Sequence, residues 1–208
     1  ILEEDGQAVG LELSDGKRIQ ADSVIVATGG LSYPSTGSTG DGYRWAEATG
    51  HKVVACTPSL VPFVTEDTWC AKLKGLAVKN VNLALYFDGK EIDQGFGEML
   101  FTHFGVSGPL VLSASSYYSA QLAKWTKKNE KKKLSRPECR IELNLKPALT
   151  AEQLDKRLLR EFDSQKNKNF GTAIDGLFPA RLIPVMLELS GIETGKKVHE
   201  IKNKERQK

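Results

Sequence analysis

Two short glycine-bearing segments carry the chemistry most legible in this chain: Ala27-Thr28-Gly29-Gly30 and Thr39-Gly40-Asp41-Gly42. The first ends Val24-Ile25-Val26-Ala27, a continuous apolar run that fits a strand covered on both faces, as in a mainly parallel sheet. Open α/β sheets place ligands beyond the carboxyl ends of such strands, and paired glycines remove side chains that would hold a flat ligand away. The second segment opens a helix, whose free N–H groups and positive dipole end favour an electron-rich or anionic group. Either segment alone reads as an ordinary turn or cap, and the two so close together are more specific. Two side chains are candidates for catalysis. His103 lies between a strand end and the helix start Ser107-Gly108-Pro109, and histidine moves protons near neutral pH. Tyr33, in the loop between the glycine segments, can meet a flat ring or a substrate. The structural alternatives are that His103 caps a turn and that Tyr33 packs.

The elements that must position these groups change character along the chain. Val9, Leu11 and Leu13 alternate with polar residues up to the turn Asp15-Gly16, and Ile19 and Ala21 continue the pattern. Residues 41–49 read as a short helix ended by Gly50. Thr57-Pro58 and Val61-Pro62 mark a shift to antiparallel texture. Val81, Leu83, Leu85 and Phe87 alternate up to Asp88-Gly89, a second strand is expected over 90–101, and Cys139, Ile141, Leu143 and Leu145 alternate again. A helix rich in small residues is expected over 109–124, with Pro109 in its first turn. The last third is helical: Thr150 and Gln153 form a capping box, Leu154, Leu158 and Phe162 make one stripe, and a second helix ends near Gly191 with Pro184 in its first turn or at a kink.

Composition bounds the rest. A chain of 208 residues with 40% hydrophobic and 26% charged residues is ordinary for a globular protein. No apolar run approaches the roughly 20 residues that span a membrane, and no signal peptide is visible. Cys56, Cys70 and Cys139 are widely spaced, which argues against a disulfide framework or a metal site and for buried free thiols in a reducing cytoplasm. The net charge of +3 is too small to imply nucleic acid. Lys124, Lys127, Lys128, Lys131, Lys132, Lys133 and Arg136 are nevertheless crowded together, with Glu130 alone opposing them. Without an aromatic ladder or a binding motif, this stretch reads as a solvated loop, and nucleic acid is not an expected partner. The rival reading of the whole chain is a non-enzymatic interaction module that uses the basic 124–136 stretch to bind a partner. The start at Ile1 and the polar end suggest an internal fragment of a longer protein.

The two glycine segments together resemble the second FAD-contacting region of two-dinucleotide-binding-type flavoproteins, such as fumarate reductase subunits. More closely, Ala27-Thr28-Gly29-Gly30-Leu31-Ser32-Tyr33-Pro34 with Thr36-Gly37-Ser38-Thr39-Gly40-Asp41-Gly42-Tyr43 resembles the BaiN/YhiN-like NAD(P)/FAD-dependent oxidoreductases. So do Pro58-Ser59-Leu60-Val61-Pro62, Leu73-Lys74-Gly75-Leu76, Lys79-Asn80-Val81, and the run from Gly97-Glu98-Met99-Leu100-Phe101 through Thr102-His103-Phe104-Gly105 to Val106-Ser107-Gly108-Pro109. The resemblance implies an α+β multidomain fragment: a partial Rossmann-like FAD-binding domain at 1–57, an antiparallel β insertion with one helix at 58–148, and a small helical subdomain at 149–208. It implies FAD along Ala27, Thr28, Gly29, Gly30, Thr39, Gly40, Asp41 and Gly42, NAD(P)H as reductant, and a small organic substrate beneath the insertion. The family's pyrophosphate-binding G-x-G-x-x-G is not in this sequence, so these 208 residues alone are expected to hold FAD weakly and to be inactive.

Overall fold

Asp5 and Gly6 take positive φ (50° and 76°), the geometry of a tight hairpin turn, and join β1 (Leu2–Glu4) to β2 (Gln7–Glu12). A longer turn carrying Asp15-Gly16 leads to β3 (Arg18–Gln20), giving a small antiparallel sheet in the order β1-β2-β3. The helix expected after the second glycine segment is α1 (Asp41–Ala48), and Gly50 follows it with φ 83°. This computed structural model describes residues 1–129 and 136–207, and the chain divides into two units, Ile1–Cys56 and Thr57–Lys208.

One expectation for the first unit fails. Residues 24–27 form no strand, and Ile25 is 90% and Val26 47% exposed. The cause is non-local, because a strand exists only where another pairs with it, and the small sheet closes with the Ala21 N–H donating to the Val9 carbonyl. The first unit buries no apolar side chain, its buried residues being Gly10 and Gly40.

The second unit is built on a five-stranded antiparallel sheet. It contains β4 (Phe63–Val64), α2 (Trp69–Lys72), β5 (Ala77–Phe87), β6 (Lys90–Phe101), β7 (Gly105–Ser107), α3 (Pro109–Asn129) and β8 (Cys139–Asn144), with strand order β4-β7-β6-β5-β8. The alternation read from the sequence is the core face: Val81, Leu83, Leu85, Met99 and Phe101 are each at most 2% exposed. Helix α3 runs further than its expected end and lies on this face. Leu110 packs where Gly95 and Gly97 of β6 carry no side chain. At the start of α3, Gly108 has φ 95° and a Cβ there would lie 2.9 Å from the Leu100 nitrogen, so only glycine permits this approach. Ala114 and Ser115 are fully buried, and the Ser115 hydroxyl accepts from the Val61 N–H at 3.0 Å while donating to the Leu112 carbonyl at 2.7 Å.

The helical part belongs to the same unit. It comprises α4 (Ala151–Ser164), α5 (Phe170–Ala173), α6 (Ile183–Ser190) and α7 (Asn203–Arg206). Both halves of the Thr150–Gln153 capping box form, Pro184 sits in the first turn of α6, and Gly191 ends that helix with φ 65°. Phe170, Ile174, Leu177 and Ile192 make a second core against Leu158 and Phe162. Arg181 donates to the Lys74 carbonyl at 2.6 Å, fastening this part to the turn before β5. The thiols depart from expectation: Cys70 is buried, but Cys56 and Cys139 are exposed. No helix among the described residues is long and apolar enough to cross a membrane.

Candidate functional site

Within the first unit the two glycine segments come together. The Gly40 N–H donates to the Gly30 carbonyl at 3.0 Å, clasping the loop between them. The glycines make this possible by leaving room. A Cβ on Gly29 would meet Ser38 Oγ at 2.6 Å, one on Gly40 would meet Leu31 at 2.6 Å, and one on Gly42 would meet Thr28 Oγ1 at 3.0 Å. These glycines therefore serve first to close the loop on itself. Asp41 is engaged locally: its carboxylate accepts from Thr39 Oγ1 at 3.2 Å and pairs with Arg44, which also donates to the Thr39 carbonyl at 3.0 Å. The Tyr43 phenol lies beside Gly30, and hydrogen bonding with the Cys56 thiol holds its pKa above the ordinary value.

One atom in this loop is not accounted for by the protein. Thr28 Oγ1 is buried without a hydrogen-bond partner, the one such side-chain atom among the described residues. An unmet buried hydroxyl is costly, and functional sites are where such atoms concentrate. Tyr33 occupies the left-handed region (φ 55°), where its carbonyl accepts from both the N–H and the hydroxyl of Thr36 (2.9 and 2.7 Å). Tyr33 as a whole is 79% exposed, so its side chain does not pack into a core.

His103 lies in the second unit, at the tip between β6 and β7. The tip is closed by Thr102, whose N–H donates to the Gly105 carbonyl at 2.8 Å and whose Oγ1 accepts from the Phe104 N–H at 3.4 Å. The His103 ring stands edge-to-face on Phe104, with centroids 4.8 Å apart, and is exposed. It makes no side-chain hydrogen bond among the described residues, so turn capping is not its role.

Residues 57–208 match the family described as "HI0933-like protein barrel and H2TH domain". The chain belongs to this BaiN/YhiN-like flavoprotein oxidoreductase family. It is 30% identical over 189 residues to the 3-dehydro-bile acid delta(4,6)-reductase of Clostridium scindens, an alignment covering 91% of this chain and 43% of that protein. It is also 42% identical over 101 residues to the ribosomal RNA dihydrouridine synthase of Haemophilus influenzae, covering 48% of this chain and 24% of that one. The synthase of the same name from Escherichia coli is 38% identical over 108 residues, with shares of 50% and 26%. The chain thus spans less than half the length of each of these relatives.

For a BaiN/YhiN-like chain, the loop geometry fits a flavin. The backbone N–H groups of Thr28, Gly29 and Gly30 donate no hydrogen bond to described residues, so the segment that carries the orphaned hydroxyl also holds three open backbone donors. The sequence pointed to this segment through its glycines. It gave no sign of which single side chain would be left unmet, since that depends on the loop returning to bring Gly42 against Thr28, where a Cβ on Gly42 would lie 3.0 Å from Oγ1. Sequence reading also missed a groove of about 430 Å³ in the second unit, lined by Thr57, Pro58, Ser119, Leu122, Ala123, Thr126 and Lys127. Its signal was present as the helical spacing of Ser119, Leu122, Ala123 and Thr126, which reads equally well as a packing face. The basic run is only partly seen: Lys124, Lys127, Lys128 and Arg136 are described, whereas Lys131, Lys132 and Lys133 lie outside the described residues.

Proposed function

We propose that this chain is part of a reductase that passes hydride from NAD(P)H through FAD to an activated carbon–carbon double bond of an organic substrate, with the insertion capping the active site. The observation that carries this reading is the clasped pair of glycine segments with Thr28 Oγ1 buried and unmet, in a chain of a flavoprotein family. The relatives' names support the reaction class: a delta(4,6)-reductase and a dihydrouridine synthase are both named for hydrogen added across a double bond. FAD, when bound, supplies the two-electron hydride relay.

The chain's own residues would hold and orient it. The N–H groups of Thr28, Gly29 and Gly30 and the Thr28 hydroxyl would meet its acceptor atoms, while Thr39, Gly40, Asp41 and Gly42 would fix the loop from behind. In the complete protein, residues 24–27 would pair into the Rossmann-like sheet that the family resemblance implies. Saturating a polarised double bond takes a hydride at one carbon and a proton at the other. His103, exposed and without a side-chain hydrogen bond among the described residues, is the residue to which we assign proton transfer, and Tyr33 is the candidate for stacking on flavin or substrate. The test is the spectrum of the complete protein. Flavin absorption that bleaches with NADH or NADPH and recovers on adding an unsaturated substrate is expected. A colourless protein that also fails to take up added FAD would overturn the reading. Thr28→Val should weaken FAD retention without unfolding the chain, and unchanged FAD affinity would remove Thr28 from the site.

A further inference from the structure

The end strands of a sheet leave a row of backbone N–H and C=O groups unpaired, and proteins guard such edges with short strands, bulges, proline, lysine or inward-facing charge. Most end strands here are short: β4 has 2 residues, and β1 and β3 have 3 each. Strand β8 is the exception. It runs for 6 residues, pairs with β5 without a bulge, and has no second strand beside it among the described residues. Beyond that ladder, residues 139–144 make no backbone–backbone hydrogen bond among the described residues. Their sequence, Cys139-Arg140-Ile141-Glu142-Leu143-Asn144, holds neither proline nor lysine.

The two faces of β8 are sorted. Ile141 and Leu143 lie opposite Leu85 and Leu83 of β5 on the core side, and both are only half-buried because the sheet stops at this strand. Arg140 and Glu142 lie opposite Tyr86 and Ala84 on the other side, and both are exposed. The Arg140 guanidinium stands 4.7 Å from the centroid of the Tyr86 ring and meets Glu142 at 3.0 Å. An exposed ion pair within one strand contributes little to stability. One positive and one negative residue flanking a central Ile141 do, however, make the strand complementary to itself.

Two copies of β8 related by a two-fold axis perpendicular to the sheet run antiparallel and keep both core faces on the same side. A slip of one residue between them would turn every side chain to the wrong face. Registers that overlap most of the strand therefore centre on Arg140, Ile141 or Glu142. Centred on Arg140, two guanidinium groups face each other, and centred on Glu142, two carboxylates do. Like charges directly opposite are destabilising. Centred on Ile141, Arg140 faces Glu142 of the second copy, Ile141 meets its counterpart, and Cys139 faces Leu143. We propose that this chain dimerises through β8 in the Ile141-centred register, joining two five-stranded sheets into one and extending each core past Ile141 and Leu143. The pairing goes beyond the reductase reading and needs neither flavin nor substrate.

Sedimentation velocity of this chain over a dilution series tests the proposal. The unaltered chain should pass from monomer to dimer with a dissociation constant on the order of micromolar, as suits a small interface. Arg140→Glu and Glu142→Arg each set like charges opposite one another, and each should weaken the dimer about tenfold or more. Mixed together, these two variants should associate, because every facing pair is again of opposite sign. The double variant Arg140→Glu/Glu142→Arg should regain the dimer for the same reason. Circular dichroism melts check that the variants fold. In a Cys56→Ser/Cys139→Ser background, Ile141→Cys should be joined by a short bismaleimide. Asn144→Cys, roughly 20 Å from its counterpart in this register, should not be. A chain that stays monomeric at the highest concentration overturns the proposal and leaves the edge to some other strand. A dimer indifferent to both charge reversals, or mixed variants that fail to associate, would overturn it equally. Should a reversal unfold the chain, crosslinking at position 141 and not at 144 decides the matter alone.

Discussion

Residues 24–27 in the first unit and residues 83–87 in the second are both short, apolar, β-favouring runs, yet they end in opposite states. Leu83 and Leu85 are 1% and 0% exposed, whereas Ile25 is 90% exposed. The side chains do not explain the difference. Strand β5 is hydrogen-bonded on both edges, to β6 and to β8, and α3 covers its core face. Residues 24–27 have no such neighbours among the described residues. A strand's stability is thus set by what pairs with it and covers it, and the first unit, lacking a buried apolar side chain, is ordered chiefly by turns, two hairpin pairings and the Gly30–Gly40 clasp.

The widest separation between the two regions should appear in native-state hydrogen exchange of the 208-residue chain. Amides at 83–87 should open only with global unfolding, and those at 24–27 should exchange roughly a thousandfold faster or more. Equal protection would mean that residues 24–27 find a partner strand in solution. Side-chain truncation sharpens the same contrast. Leu85→Ala should cost about 2–5 kcal/mol in urea unfolding, because it removes a fully buried side chain from a packed core. Ile25→Ala should stay within about 0.5 kcal/mol, as for other exposed positions. A large loss for Ile25→Ala would show that the first unit has a core this structure does not reveal.

This contrast also explains what could be read in advance. The second unit was legible because its signals are local and repeated. Val81 to Phe87 alternates, Asp88-Gly89 turns, and Thr150 with Gln153 caps a helix, and each needs only its own few residues. The short elements were not. β4 is held by a pairing with β7, and its Phe63 is recruited by Tyr118 of α3 across the core, with ring centroids 5.4 Å apart. The strand expected at 24–27 failed for the complementary reason, since its pattern was right and its partners were absent. At the candidate site, the glycines and the helix start were visible as residue types. The clasp from Gly40 to Gly30 and the orphaned Thr28 hydroxyl depend on how the loop returns upon itself.

Glycine substitution separates backbone need from mere turn preference. Gly108→Ala places a Cβ 2.9 Å from a backbone nitrogen of β6 at φ 95°, and neither atom can yield without moving α3 off the sheet. A loss of about 1–3 kcal/mol is expected, with fluorescence of Trp69 and Trp125 reporting looser packing. Gly37→Ala in the first unit meets nothing within 4 Å, so only its left-handed φ of 95° opposes it, and the cost should be about 1 kcal/mol. If the two variants were equally destabilised, the close approach of α3 would not be what Gly108 provides.

The smallest effect concerns charge in the helical part. Asp155 accepts from Arg206 at 2.7 Å, which holds its carboxyl below the usual range, and Glu205 is lowered chiefly by its hydrogen bond from Lys196 at 2.7 Å. A carboxylate whose folded pKa is depressed stabilises the fold above the unfolded value and loses that contribution as pH falls through the lowered one. The melting temperature should therefore be insensitive to these pairs from neutrality to about pH 5. It should then fall with acid below about pH 4, where an unperturbed carboxyl protonates. Asp155→Asn removes one of the two groups, so its melting curve should lie below the unaltered chain's at neutral pH and converge on it in acid. Parallel curves would show that the Asp155–Arg206 pair, which joins α4 to α7, does not bind protons differently in the folded and unfolded chain. The contrast between the units would then rest on the apolar core of the second, without a contribution from the Asp155–Arg206 pair.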